Sequence, residues 1–331
     1  MRGAIHSKAR RAGLLCAAAF VLIASGIASA WVRSLTDKGT AIYWPGTCTW
    51  IVPDKGGTPE LTLSAIESAL TRSIANWQNV TLKAGCSYLV INQDPAEDNL
   101  EAKYDKKNVL KFRNDKWCRP ADGKTPEMCY SGSAAAITTV FYASDPGKPG
   151  DGAIVDADIQ MNDLDFTFTI HENAGPIKPN TQEADLENTL THELGHFQGL
   201  DHTCLDHAVP NPPTDGATNQ PAPLCQDVID HKVKISEFYR ITGATMFNYA
   251  TPGETSKRTP KMDDIAGICA IYPVANNPNK CERPSMSKGG CAMAPLGDPN
   301  RKGTLGLLGL GMGIGLIGVF GRLSRRRRPR D

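Results

Sequence analysis

An excess of either charge is missing from this chain. Its 36 Lys and Arg stand against 35 Asp and Glu, a formal charge of +1 over 331 residues, which excludes a nucleic-acid partner held by bulk electrostatics. No internal repeat divides it. With 40% hydrophobic and 21% charged residues, the composition excludes disorder and collagen-like repetition, and the length suits one large domain or two ordinary ones. Histidine is scarce, at seven residues, and the long apolar runs lie only at the two ends.

Both of those ends read as addresses. Arg2, Lys8, Arg10 and Arg11 precede an apolar run over 12–27, and Ala28-Ser29-Ala30 is a small-x-small cleavage site. This is the pattern of a secretory signal peptide over 1–30, with a mature chain that starts at Trp31. At the other end, 304–321 is 18 residues without charge, followed by Arg322 and Arg325 to Arg328 in a basic tail over 322–331. Such a length just spans a bilayer, so a transmembrane segment is expected there.

Ten cysteines fit an oxidising compartment. Cys16 leaves with the signal peptide. Cys48, Cys86, Cys118, Cys129, Cys204, Cys225, Cys269 and Cys281 can form four bridges, with Cys118 to Cys129 and Cys204 to Cys225 the cheapest pairings by proximity. The remaining cysteine is Cys291. It lies in a Pro-, Asn-, Gly- and Ser-rich stretch that marks 274–303 as a tether.

Between signal and tether, 31–273 reads as one α+β domain. Short apolar runs at 41–44, 50–52, 108–112 and 136–142 are expected strands. The 155–162 segment alternates strictly, with Val155, Ala157, Ile159 and Met161 on one side. Asp156, Asp158, Gln160 and Asn162 form the other side, expected to be solvated. Ser64 to Glu67 has capping-box spacing, and Ile66, Leu70, Ile74 and Trp77 follow at helical intervals.

The chemistry is concentrated in His192-Glu193-Leu194-Gly195-His196-Phe197-Gln198-Gly199-Leu200-Asp201-His202. At this chain's composition an accidental HExxHxxGxxH has odds on the order of one in a hundred thousand. On a helix, Leu186, Leu190, Leu194 and Phe197 make a core stripe, while His192 and His196 lie about 40° apart on another face. His202 would lie roughly 9 Å past His196 if the helix continued. Gly199 is therefore expected to end the helix and turn the chain back. Three neutral histidines leave a fourth position for water, the pattern of a catalytic zinc, with Glu193 as general base. A closed structural site with Cys204, Asp206 or His207 as fourth ligand is the alternative. Three histidines would also take cobalt or nickel.

These residues resemble the metzincin clan of zinc endopeptidases, and within it the matrixin-like group, over roughly 39–273. The likeness extends to Ala244-Thr245-Met246-Phe247-Asn248-Tyr249, where Met246 looks like the turn that floors the zinc site. It extends also to Met262-Asp263-Asp264-Ile265-Ala266-Gly267-Ile268, which is similar to the closing helix, with Thr259 as the expected N-cap and Pro260 at N1. Asp156-Ala157-Asp158-Ile159 is similar to the edge strand that pairs with extended substrates. The resemblance implies an upper subdomain to about residue 199, a twisted mixed sheet with the active-site helix, and a lower subdomain over 200–273. Tyr249 follows Met246 by three residues, which matches neither of the family's tyrosine spacings. No propeptide with a zinc-blocking cysteine precedes the domain. His171 and His231 are too few for the family's second zinc, and calcium near Asp151 to Asp158 would be an additional ion without direct support.

The tail, from Gly290-Cys291 through the apolar span to the Arg cluster, resembles the C-terminal sorting tails of secreted myxobacterial proteins. That implies export to the cell surface or outer membrane, with a sorting protease acting near Cys291. An ordinary single-span anchor is the simpler alternative. The expected function is a surface-sorted zinc endopeptidase acting on proteins or peptides. Its rival is a non-catalytic surface adhesin stabilised by zinc.

Overall fold

Parallel and antiparallel strand pairings are equally common among the described residues, and a six-stranded mixed sheet lies beneath the motif helix. The computed structural model describes residues 31–123, 125–170, 178–216 and 218–283, and the backbone of 304–313. In chain order the elements are β1 (Val32–Arg33), β2 (Cys48–Pro53), α1 (Leu63–Val80), β3 (Val90–Gln93), β4 (Val109–Arg113), β5 (Cys118–Arg119) and β6 (Met128–Cys129). There follow β7 (Ala134–Ser144), β8 (Ile154–Asn162), β9 (Phe166–Thr169), β10 (Gln182–Asp185), α2 (Leu186–Phe197) and β11 (Leu200–Asp201). The last are α3 (Cys225–Ile229), α4 (Ile235–Thr242), α5 (Met262–Ile271) and β12 (Thr304–Gly313). The class is α+β with a mixed sheet.

The large sheet has the order β12-β7-β8-β4-β2-β3. β2, β3, β4 and β8 run parallel, so the chain needs long crossovers, and α1 supplies the one from β2 to β3. β7 is antiparallel to β8, and β12 is antiparallel to β7. α1 buries Ile66, Leu70, Ile74 and Trp77, the expected stripe. Its cap, however, is Thr62, whose side chain accepts from Ala65 N–H at 3.2 Å, two residues before the expected capping box. α1 packs on α2, and Trp77 Nε1 donates to the Thr191 carbonyl at 2.8 Å. Trp77, Leu110, Phe112, Ile159, Phe168, Leu190, Leu194, Phe197 and Tyr272 share one core. Each fully buried aliphatic or aromatic side chain contributes about 1.5–3 kcal/mol.

Past Gly199 the chain builds a smaller unit of α3, α4 and their loops, with its own cluster of Cys204, Cys225, Val228, Ile241 and Phe247. α5 returns to the main core through Ile268 and Ile271. All eight expected cysteines are paired: Cys118–Cys129 and Cys204–Cys225 as proximity suggests, and Cys48–Cys281 and Cys86–Cys269 across the domain. Cys281 and the Arg283 to Asp94 ion pair, at 2.6 Å, fasten the chain to the domain beyond Pro273.

Several expectations are corrected. β8 is an interior strand between β7 and β4, and β7 in turn lies between β8 and β12, so the edges of the sheet are β12 and β3. Asp156 and Asp158 are buried rather than solvated, because the loop before β4 covers them. Asp156 accepts from the N–H groups of Asp105 and Lys106 at 2.7 and 2.6 Å, and Asp158 from those of Lys103 and Val109 at 2.9 Å. The 41–44 run makes only isolated bridges at Ala41 and Tyr43. α5 is capped at Lys261, whose N–H the Asp264 carboxylate accepts at 2.9 Å, not at Thr259. No helix among the described residues is long and apolar enough to cross a membrane, and 304–313 is the extended strand β12 where a span is expected to begin. The signal peptide, His171, Cys291 and residues 314–331 lie outside the described residues.

Candidate metal centre

Helix α2 is fixed at both ends. Asp185 caps its N-terminus, accepting from Asn188 N–H at 2.8 Å, and Arg258 holds the same carboxylate at 2.8 and 2.5 Å. At the other end Trp44 Nε1 donates to the Phe197 carbonyl and Tyr272 Oη to the Gln198 carbonyl, both at 2.7 Å. Gly199 then adopts φ of +96°, a left-handed conformation natural to glycine. β11 pairs with β1, and Ser34 Oγ donates to the Leu200 carbonyl at 3.0 Å. These contacts turn the chain back and bring His202 under the helix.

The three histidines converge as the motif predicts. His202 Nε2 lies 3.3 Å from His192 Nε2 and 3.2 Å from His196 Nε2. Tetrahedral nitrogens about 2.05 Å from one zinc are separated by about 3.3 Å, so the donor set fits such an ion. His192 Nδ1 is 2.7 Å from the Thr245 carbonyl and His196 Nδ1 is 2.9 Å from the Leu200 carbonyl. A carbonyl only accepts, so each Nδ1 carries the proton and each Nε2 keeps its lone pair for a metal. Burial first, and the neighbouring histidines second, push His192 and His196 well below the ordinary imidazole range. Both stay neutral, as ligands must be.

The fourth-ligand alternatives fare differently. Cys204 is consumed by its disulfide. Asp206 Oδ2 sits 3.5 Å from His202 Nδ1, behind the ring rather than on the Nε2 side. His207 does not join the three histidines among the described metal-binding clusters. Cys118, Glu127 and Cys129 also lie close together, but both sulfurs are bonded to each other.

Glu193 is buried beside the histidines, and its Oε2 accepts from Thr138 Oγ1 of β7 at 2.6 Å. Met246 packs directly on the helix: a Cβ on Gly195 would stand 2.2 Å from its sulfur. Asp264 of α5 holds that segment, accepting from Thr245 N–H at 2.8 Å and Met246 N–H at 3.1 Å. Buried Lys257, pushed down to about 8 by desolvation, donates to the Phe247 carbonyl at 2.7 Å and to that of Tyr249. Tyr249 thus contributes a backbone acceptor, and its ring lies 5.6 Å from that of Phe247. Thr138, Lys257 and this role of Asp264 have no sequence signal, since each acts across more than one element. An open groove of about 540 Å³, lined by Trp50, Asn108 and Arg283 among others, contains no motif residue.

Comparison with protein-family models and with curated proteins finds no match.

Proposed function

We propose that the chain is a zinc-dependent endopeptidase of the matrixin-like metzincin type, exported and sorted to the cell surface. The observation that carries it is the convergence of three histidines, with His202 Nε2 at 3.2–3.3 Å from the Nε2 atoms of His192 and His196, and a buried glutamate beside them. Chemistry supplied by zinc on these nitrogens is polarisation of a peptide carbonyl and acidification of water. Glu193 accepts the proton of the attacking water and returns it to the departing amine. Thr138 orients that carboxylate, Met246 and Trp77 pack at Gly195 to set the helix, and the Thr245 and Leu200 carbonyls aim the imidazoles. The side of β7 away from β8, which β12 covers, would offer backbone groups to an extended peptide once vacated, a mode of pairing that implies loose sequence preference.

The complete burial of His192, Glu193 and His196 favours a second reading, a surface adhesin that keeps zinc for stability. Casein clearing separates the two. Hydrolysis that a chelator stops supports the peptidase, and fully zinc-loaded protein that leaves casein intact after its tail is removed supports the adhesin.

A further inference from the structure

An extended peptide can add to the sheet near Glu193 only along β7. β8 is paired on both sides, and the other edge, β3, is four strands from β7 in the order of the sheet. That β7 edge is already taken. Thr304–Gly313 runs antiparallel along it, from Thr304 opposite Ser144 to Gly313 opposite Ala134. The backbone of Leu310 is the ladder partner of Thr138, the residue whose hydroxyl touches Glu193. Ladder partners stand about 4.5–5.5 Å apart, so the segment passes one strand spacing from the glutamate's donor.

We propose that Thr304–Gly313 is a built-in occupant of the substrate edge, a strand that keeps the site latent until the tail is removed or withdrawn. What is kept latent rests on the peptidase reading, whereas the docking rests on the strand pairing alone. An incoming peptide needs the same N–H and C=O groups of β7 that the tail uses. The zero exposure of His192, Glu193 and His196 agrees with a shut site, since a working cleft must admit a peptide.

The segment is built to be displaced. Gly306, Gly309, Gly311 and Gly313 weaken it as a strand, while the absence of proline and charge leaves every N–H available for pairing. Its occupancy comes from the tether. Cys281 is bonded to Cys48, so the chain is anchored 23 residues before Thr304. A tether of that order confers an effective concentration in the millimolar range, above that of an ordinary substrate. These same ten residues open the uncharged run of 304–321. They cannot lie in a bilayer and on β7 together, so insertion into a membrane or loss during sorting opens the edge, coupling activity to arrival at the surface.

The test compares the full zinc-loaded chain with its Leu307→Pro/Leu310→Pro variant. Strand N–H groups alternate in direction, so two positions three apart remove at least one N–H that faces β7. Amide hydrogen exchange should show β7 amides over 134–144 losing about tenfold or more protection in the variant, with α1 unchanged as the control for folding. Labelled casein well below millimolar should be cut about tenfold faster by the variant, with little change at saturation, as expected for relief of a tethered competitor. Equal β7 exchange in the two chains overturns the proposal. So does self-cleavage within 304–313 that Glu193→Ala abolishes, which would make the segment a substrate. Protection lost in the variant with no casein cut by either chain keeps the docked strand and removes the peptidase reading.

Discussion

Thr138 lies in the middle of an apolar strand, yet its hydroxyl is the donor that Glu193 Oε2 accepts. Replacing it by Val should retain zinc and lower kcat by about tenfold, the scale of a misplaced proton carrier rather than a lost one. Thr138→Ser should restore most of the rate. Unchanged turnover in the Val variant would remove Thr138 from the account. Asp156 makes a different residue-scale prediction. Burial pushes it up to about 7, and burial together with Asp156 pushes Asp158 well above the carboxylate range. An acid whose value is raised in the fold stays protonated after the unfolded chain has ionised. Its contribution is therefore full below about 4, declines as pH rises to about 7, and is flat above. His192 and His196, held low, act oppositely and lose stability as pH falls below the unfolded imidazole value near 6.5. The difference isolates the acid: in urea melts of the metal-free chains, the stability of the parent relative to Asp156→Asn should decline between about pH 5 and 7. Identical slopes would contradict the burial of that carboxylate.

Among the elements, α2 was the most legible, and its glycine shows where legibility stops. The stripe of Leu186, Leu190, Leu194 and Phe197 and the break at Gly199 follow from helical geometry, and the structure has both. Gly195 alone would suggest that alanine should help, by roughly 1 kcal/mol of helix propensity. The structure reverses the sign, because a Cβ there meets Met246 sulfur at 2.2 Å. Gly195→Ala should destabilise by about 1–3 kcal/mol, the cost of overpacking, in thermal or urea melts, and a more stable variant would show that Met246 does not pack there. The edge position expected for β8 fails for a related reason. Alternating acids look alike whether they face water or backbone N–H groups, and only the distant loop carrying Lys103, Asp105 and Lys106 decides. The cap of α5 moved from Thr259 to Lys261 because Asp264 also serves Thr245 and Met246, a tertiary tie that local spacing does not contain. Uncharged 304–313 fits a bilayer or a sheet edge equally well on composition.

For the whole molecule, the long-range disulfides close the domain around the site. Cys48–Cys281 spans 233 residues, but with Cys86–Cys269 intact it closes a loop of roughly 50, so in the chain-entropy account its loss as Cys48→Ser/Cys281→Ser should cost about 4 kcal/mol. Thiol titration of the parent purified without reductant should find none free over 31–283, and two or more would overturn the pairing. Neighbouring pairs were within reach of proximity, whereas the two long bridges depend on the finished topology. The central claim is that three histidines hold zinc and Glu193 moves the proton. Zinc content and casein hydrolysis, measured together in the full chain with Leu307→Pro/Leu310→Pro opening the edge, test it most directly. Glu193→Ala should keep about one zinc per chain and lose turnover by ~10² or more, while His196→Ala should lose the metal. Full hydrolysis by the Glu193 variant, or loss of zinc on that change alone, would contradict the account.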